Sequence, residues 1–231
     1  MPKQAHSNIA RLAALYGAKR RDEVLPPVYV PGVGTRFDDV GDSGTGIHRD
    51  AGLASAWAGE ARINWALLQA QNSVHQYFFG SNPLTSPNQD KPLVKRISAD
   101  LNLSTAQLRT WLKHPLRTAW QQKSIPPRHA ERRALLRERN AELTAKIAPQ
   151  LATHRPQVEK LRLSVFGFSR GAAEARVFVN WLLEACTPGG KTGLLLGGIP
   201  LQIDFLGLFD TVASVGYAQS FQEYFLDGHD A

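Results

Sequence analysis

The chain has 231 residues, 43% of them hydrophobic, with five tryptophans, one cysteine and a formal net charge of +7. This composition excludes a disordered chain and a disulfide framework, and the length suits one domain, 1–231, with a sizeable core. No apolar run approaches a membrane-spanning helix. The N-terminal MPKQAHSNIARL lacks the apolar centre of a signal peptide, so a cytoplasmic start without a leader is expected.

Ser7 to Tyr16 predicts a first helix, with Ser7 as N-cap and Ile9, Leu12, Leu15 and Tyr16 on one face. Pro26-Pro27 leads into Val28-Tyr29-Val30, read as a short buried strand that ends in Pro31-Gly32-Val33-Gly34-Thr35. Glycines at a strand's carboxyl end allow close backbone approach to a bound group, and a plain tight turn uses them equally well. In the loop that follows, Asp42, His48 and Asp50 match no metal-ligand spacing. They read as solvated, and no metal is expected. Ala61 to Phe79 carries Ile63, Ala66, Leu67, Ala70, Val74 and Phe78 near helical spacing, with His75 beside the stripe as a hydrogen-bonded structural residue.

Residues 81–128 read as an insertion or cap. Eight Lys and Arg stand there against Asp90 and Asp100, a net +6. The stretch opens as a Pro/Ser/Asn-rich loop. Ser104 then caps a helix with Leu108, Trp111 and Leu112, bent at Pro115 before Leu116 and Trp120. A surface for anionic partners and a merely solvated insertion fit the charge equally. A lid and a helical hairpin that buries its tryptophans both fit the pattern, with the hairpin preferred. No nucleic-acid motif accompanies the charge, so nucleic acid is not the expected partner. Arg128 to Ile147 predicts a charged helix with Leu135, Leu136, Leu143 and Ile147 as its narrow apolar stripe.

Leu161 to Phe166 suits one buried strand. Gly167-Phe168-Ser169-Arg170-Gly171 follows at once, then an apolar helix over Ala172 to Leu183. Strand, G-x-S-x-G and helix in this order make the context of a nucleophile elbow. Small neighbours let strand and helix approach, so the serine Oγ projects above the sheet edge. Ser169 is the candidate nucleophile. The backbone N–H of Arg170, with Gly32 and Gly34 of the earlier loop, forms the candidate oxyanion side. A glycine-rich turn with an incidental serine is the plain alternative. The Arg170 side chain suits either a phosphate head group or an ion pair with Glu174, one turn along. Cys186 reads as a buried inert thiol, and Thr187 to Gly190 as a turn.

Ile203 to Phe209 predicts a second buried strand, with Asp210 directly after it. That place suits the acid of a Ser, Asp, His order, which holds an imidazole in the right tautomer. An Asp capping the next turn is the alternative. Asp204, at the strand's start, lies too far from the elbow edge. His229 is the only histidine after Asp210 and is therefore the candidate base.

Val30 to Thr35 (VPGVGT), Ile63 to His75 (INWALLQAQNSVH), Phe166 to Arg176 (FGFSRGAAEAR) and Phe205 to Gly216 (FLGLFDTVASVG) together resemble the α/β-hydrolase domain of type VI secretion phospholipase effectors. The resemblance covers most of the chain outside residues 81–128. It implies an α/β fold of α/β-hydrolase type, a mainly parallel sheet flanked by helices, with a helical basic insertion. It further implies Ser169 as nucleophile, Asp210 as acid, no cofactor, and cleavage of acyl esters of membrane phospholipids. The implied route is type VI delivery into the periplasm of a rival bacterium. The implied partners are the phospholipid, a secretion spike or adaptor protein and an immunity protein. Family members begin with a strand ending in Asp-Gly-Thr and continue to a further segment that carries a histidine. This chain starts at the following helix and stops earlier, so an incomplete domain is expected. Two other readings stay open: an esterase or thioesterase on a non-lipid substrate, and a non-catalytic module that binds anionic membrane or a secretion partner through its basic insertion.

Overall fold

The computed structural model describes residues 8–18, 25, 27–80, 82–113, 128–153 and 157–212. In chain order these hold the helices α1 (Asn8–Ala18), α2 (Gly46–Ser55), α3 (Gly59–Phe79), α4 (Pro87–Ile97), α5 (Thr105–Lys113) and α6 (His129–Thr153). Then follow β1 (Leu161–Phe168), α7 (Arg170–Ala185), β2 (Thr187–Pro188), β3 (Leu194–Leu196) and β4 (Ile199–Phe209).

The sheet runs in the order β1-β4-β3-β2. β1 and β4 are parallel, from Leu161 opposite Leu201 to Phe168 opposite Phe209, with an irregularity between Leu163 and Ser164. β3 and β4, and β2 and β3, are short antiparallel pairs. The sheet among the described residues is therefore mixed rather than mainly parallel, although its long ladder is the parallel one. The expected turn after α7 is instead the first strand of this small antiparallel meander, reversed at Gly197-Gly198, both with φ above +60°. The element class is α/β.

α3 lies at the centre. In its 21 residues only Glu60 and Arg62 carry charge, and burial runs nearly all round its first turns. A helix of that composition packs on several sides, and α3 meets α4, α6 and α7. α7 in turn covers one face of the β1–β4 ladder. Leu67, Leu68, Leu136, Leu143, Ile147, Trp181 and Leu182 form the middle of the core, all within 1% of complete burial.

Several local expectations are corrected. Val28 to Val30 is extended but pairs with no strand among the described residues, and Val28 and Tyr29 are 43% and 45% exposed. Prolines at 27 and 31 remove two backbone donors at its ends. In α1, Leu15 is exposed, off the face predicted for it, and Ser7 lies outside the described residues. The stretch read as a Pro/Ser/Asn-rich loop contains α4. Ser86 precedes it, Pro87 takes the first helical position, and the Gln89 side chain accepts from the Ser86 N–H at 2.9 Å. Ser104 does cap α5, its Oγ accepting from the Gln107 N–H at 3.2 Å. α4 packs on α3 and α5 on α2, while the second arm of the expected hairpin, beyond Lys113, lies outside the described residues. Trp120 lies outside the described residues.

Candidate active site

Leu161 to Phe168 forms β1 and Arg170 opens α7, so Ser169 alone makes the turn between them. Its φ of 56° and ψ of −124° lie where L residues rarely go, at a cost of about 1–3 kcal/mol. The Ser169 N–H donates to the Phe209 carbonyl at 2.9 Å, which ties the elbow to the end of β4. Gly167 is obligatory for the crossing: a Cβ there would lie 2.1 Å from the Gly171 oxygen. A Cβ on Gly171 would meet nothing within 4 Å. The strained serine and the glycine two residues before it are what the elbow reading of the motif expects.

The register ends with Phe168 opposite Phe209, so Ser169 and Asp210 are the next residues at the carboxyl ends of two adjacent parallel strands, and the Val212 N–H donates to the Ser169 carbonyl at 3.5 Å. Asp210 also has a positive φ, 48°, and is exposed. Asp204 sits within β4 and pairs with Arg162 of β1, away from that edge. His229, the candidate base, lies outside the described residues, as do His6, His114 and His154. Of the three described histidines, His129 opens α6, and His75 and His48 make contacts elsewhere. His75 donates from Nδ1 to the Asn82 carbonyl at 2.8 Å and stacks on Phe79, the structural role expected. His48 Nδ1 lies 3.2 Å from Ser43 Oγ, and its ring packs on Trp57. Among the described residues, no group of three His, Cys, Asp or Glu is placed to hold a metal ion.

The glycine loop is organised by Arg62, which sequence reasoning missed. This guanidinium is fully buried. It donates to the carbonyls of Pro31 (2.9 Å), Gly32 (3.4 Å), Thr35 (2.7 Å) and Ala58 (3.1 Å). It also donates to Asp42 Oδ2 at 2.8 Å, and Asp42 is equally buried. Asp42 is therefore a buried counter-ion and not the solvated residue expected. Its other oxygen accepts from the Gly44 N–H. The only sequence signal was an arginine in an otherwise almost uncharged helix. Gly32 stays exposed, whereas Gly34 is buried against α2, where a Cβ on Gly52 would come within 2.4 Å of Gly34 N.

Arg170 does not form the expected ion pair with Glu174. Its Nη1 donates to the Gly52 and Leu53 carbonyls, both at 2.7 Å, at the carboxyl end of α2. The Glu174 carboxyl is enclosed by protein although the residue as a whole is only partly buried, and its Oε1 has no hydrogen-bond partner. Burial pushes its pKa up to about 7, against the pull of Arg62 and Arg170. Cys186 is buried, its Sγ donating to the Leu182 carbonyl, and burial raises the thiol to about 11, in keeping with an inert role.

Phe168 beside Ser169 is 55% exposed and Phe209 beside Asp210 is 45% exposed, with Val212 and Leu53 also open to solvent. Apolar side chains adjacent in sequence to the two candidate residues are therefore open to solvent. No protein-family model matches the chain, and no curated protein does. A crystal structure of an uncharacterized protein from Pseudomonas aeruginosa is similar to it, at 34% identity and a TM-score of 0.62 over 82% of this chain. That likeness covers 24% of the Pseudomonas chain, so the present chain spans about a quarter of that protein's length.

Proposed function

We propose that Ser169 is the nucleophile of an α/β-hydrolase that cleaves acyl esters of membrane phospholipids, in the manner of type VI secretion phospholipase effectors. The observation that carries the reading is the backbone of Ser169, held in a strained conformation between a parallel strand and a helix, with Asp210 alongside. Strain kept by a close-packed glycine and a hydrogen bond to the neighbouring strand is a device for exposing one side chain.

Ser169 Oγ attacks the ester carbonyl, and its proton passes to a histidine, for which His229 is the candidate. Asp210 orients that imidazole and stabilises its cation. The Arg170 N–H at the start of α7, with Gly32 on the opposing loop, is the donor set offered to the tetrahedral oxyanion. The lipid alcohol leaves with the proton, and water releases the fatty acid. The exposed Phe168, Phe209 and Leu53 side chains favour an acyl chain over a polar substrate at this edge. A secretion spike or adaptor and an immunity protein are the partners that accompany the reading.

Fluorophosphonate labelling of the chain beside its Ser169→Ala variant tests it. Labelling lost in the variant is expected, together with hydrolysis of phospholipid vesicles in preference to a soluble short-chain ester. A folded chain that stays unlabelled, alone and within a longer chain, sinks the assignment. Preference for the soluble ester turns it toward an esterase.

A further inference from the structure

We infer that Arg170 is a positioning residue that holds the glycine loop at a fixed distance from the elbow. The inference rests on the nucleophile reading of Ser169 for its catalytic meaning. Arg170 follows Ser169 directly, and its guanidinium bridges 117 and 118 residues of chain to two adjacent carbonyls of α2. Both carbonyls belong to the last turn of α2, where the Gly52 carbonyl also accepts from the Ala56 N–H at 3.0 Å. A guanidinium there caps the helix and meets the negative end of its dipole.

The α2 end transmits the contact. Gly52 packs its Cα against Gly34, leaving no room for a methyl group. Beyond α2 the chain turns through Ala56 and Ala58, both non-glycine residues at positive φ, into α3. Arg62 of α3 then holds the loop from its other side through the Pro31, Gly32 and Thr35 carbonyls. With these oxygens drawn inward, the loop has one backbone setting. Arg170 fixes where that setting lies relative to Ser169. A side chain whose Nη1 is committed to two carbonyls acts as a strut.

The test uses the full chain and three variants: Arg170→Gln, Arg170→Lys and Gly52→Ala. Gly52→Ala disturbs the same contact from the opposite end. Amide hydrogen exchange, which needs no activity, is read at residues 32–35 beside β1 and α7. Arg170→Gln is expected to speed exchange of the loop at least tenfold, leave β1 unchanged and slow fluorophosphonate labelling about tenfold. Lysine should restore part of both effects. Combining Arg170→Gln with Gly52→Ala should slow labelling no further than the worse single change. Unchanged loop exchange overturns the strut, as does faster exchange with normal labelling. A KM rise confined to phospholipid, with labelling of the serine unaltered, overturns it in favour of head-group binding. Faster exchange in a chain whose wild type never labels overturns the nucleophile reading, and the catalytic meaning of the strut with it.

Discussion

Gly167 and Gly171 look equivalent in the motif, but their surroundings differ. Gly167→Ala forces a methyl into the α7 backbone and is expected to cost about 1–3 kcal/mol by overpacking. Gly171→Ala meets open space in a helix and should be neutral or stabilising by up to about 1 kcal/mol. Urea unfolding of the two variants checks the contrast, and equal losses would contradict it. Glu174 gives a second test at this scale. Its folded pKa, about 7, is above the ordinary 4.5, so the folded state holds the proton more tightly. Its contribution is fully present below pH 4.5 and is lost as pH rises through about 7. Glu174→Gln should remove that slope and stabilise the protein above pH 7, by on the order of 3 kcal/mol at most. Melting temperatures of both proteins from pH 4 to pH 8 read the difference, and parallel curves would refute it.

Among the elements, α3 depends on a neighbour for its start. Asp100, in the turn after α4, accepts from the Glu60 N–H at 3.0 Å and the Ala61 N–H at 3.4 Å. Glu60 returns the contact by accepting from the Ala99 N–H at 2.9 Å, and Trp57 Nε1 donates to the Asp100 carbonyl at 2.8 Å. Both carboxyls are pushed up by burial, Asp100 also by the Glu60 charge, while Arg132 works against the shift at Glu60. Raised values mean that their stabilisation is complete at low pH and fades as pH climbs. Asp100→Asn keeps an uncharged acceptor and should cost less than about 1 kcal/mol at neutral pH. Asp100→Ala strands two buried N–H groups and should cost about 1–3 kcal/mol. Denaturant midpoints decide, and equal losses would show that the acceptor is not what matters. This network also bears on the insertion: Asn64 donates to the Ile97 carbonyl and to Ser98 Oγ. Residues 97–100 of the segment are thus fastened to α3 at several buried points.

Across the whole molecule, folding separates the insertion's charges. Asp90 and Asp100 are both buried, whereas Lys91, Lys95, Arg96, Arg109 and Lys113 are all exposed. Asp90 is held by Gln69, Asn72 and Thr85, and Arg139 joins the same cluster through Gln71, Asn72 and Thr85. The surface of this segment is therefore more basic than its net charge suggests. On the sheet, Phe166, Phe205 and Phe209 close over Gly207, their ring atoms 2.6–3.0 Å from where its Cβ would stand. This face lies opposite α7, since neighbouring residues of a strand alternate sides.

The sequence by itself determined what depends on near neighbours. The helical spacing of α3 and α6, the cap at Ser104, and the strand, glycine, serine and helix succession around Ser169 all come from residues a few positions apart. Hydrogen bonds and side-chain spacing within one turn set them. Tertiary structure alone decided the partners. The burial of Asp42 needs Arg62, which lies 20 residues away. Asp210 reaches Ser169 through a strand register, and the use of Arg170 needs the end of α2. Val28 to Val30 shows the converse, since an apolar run becomes a strand only where another strand supplies its hydrogen bonds, and none among the described residues does so. A buried charge must be met by an opposite charge or a turned carbonyl, and only the folded chain brings these together.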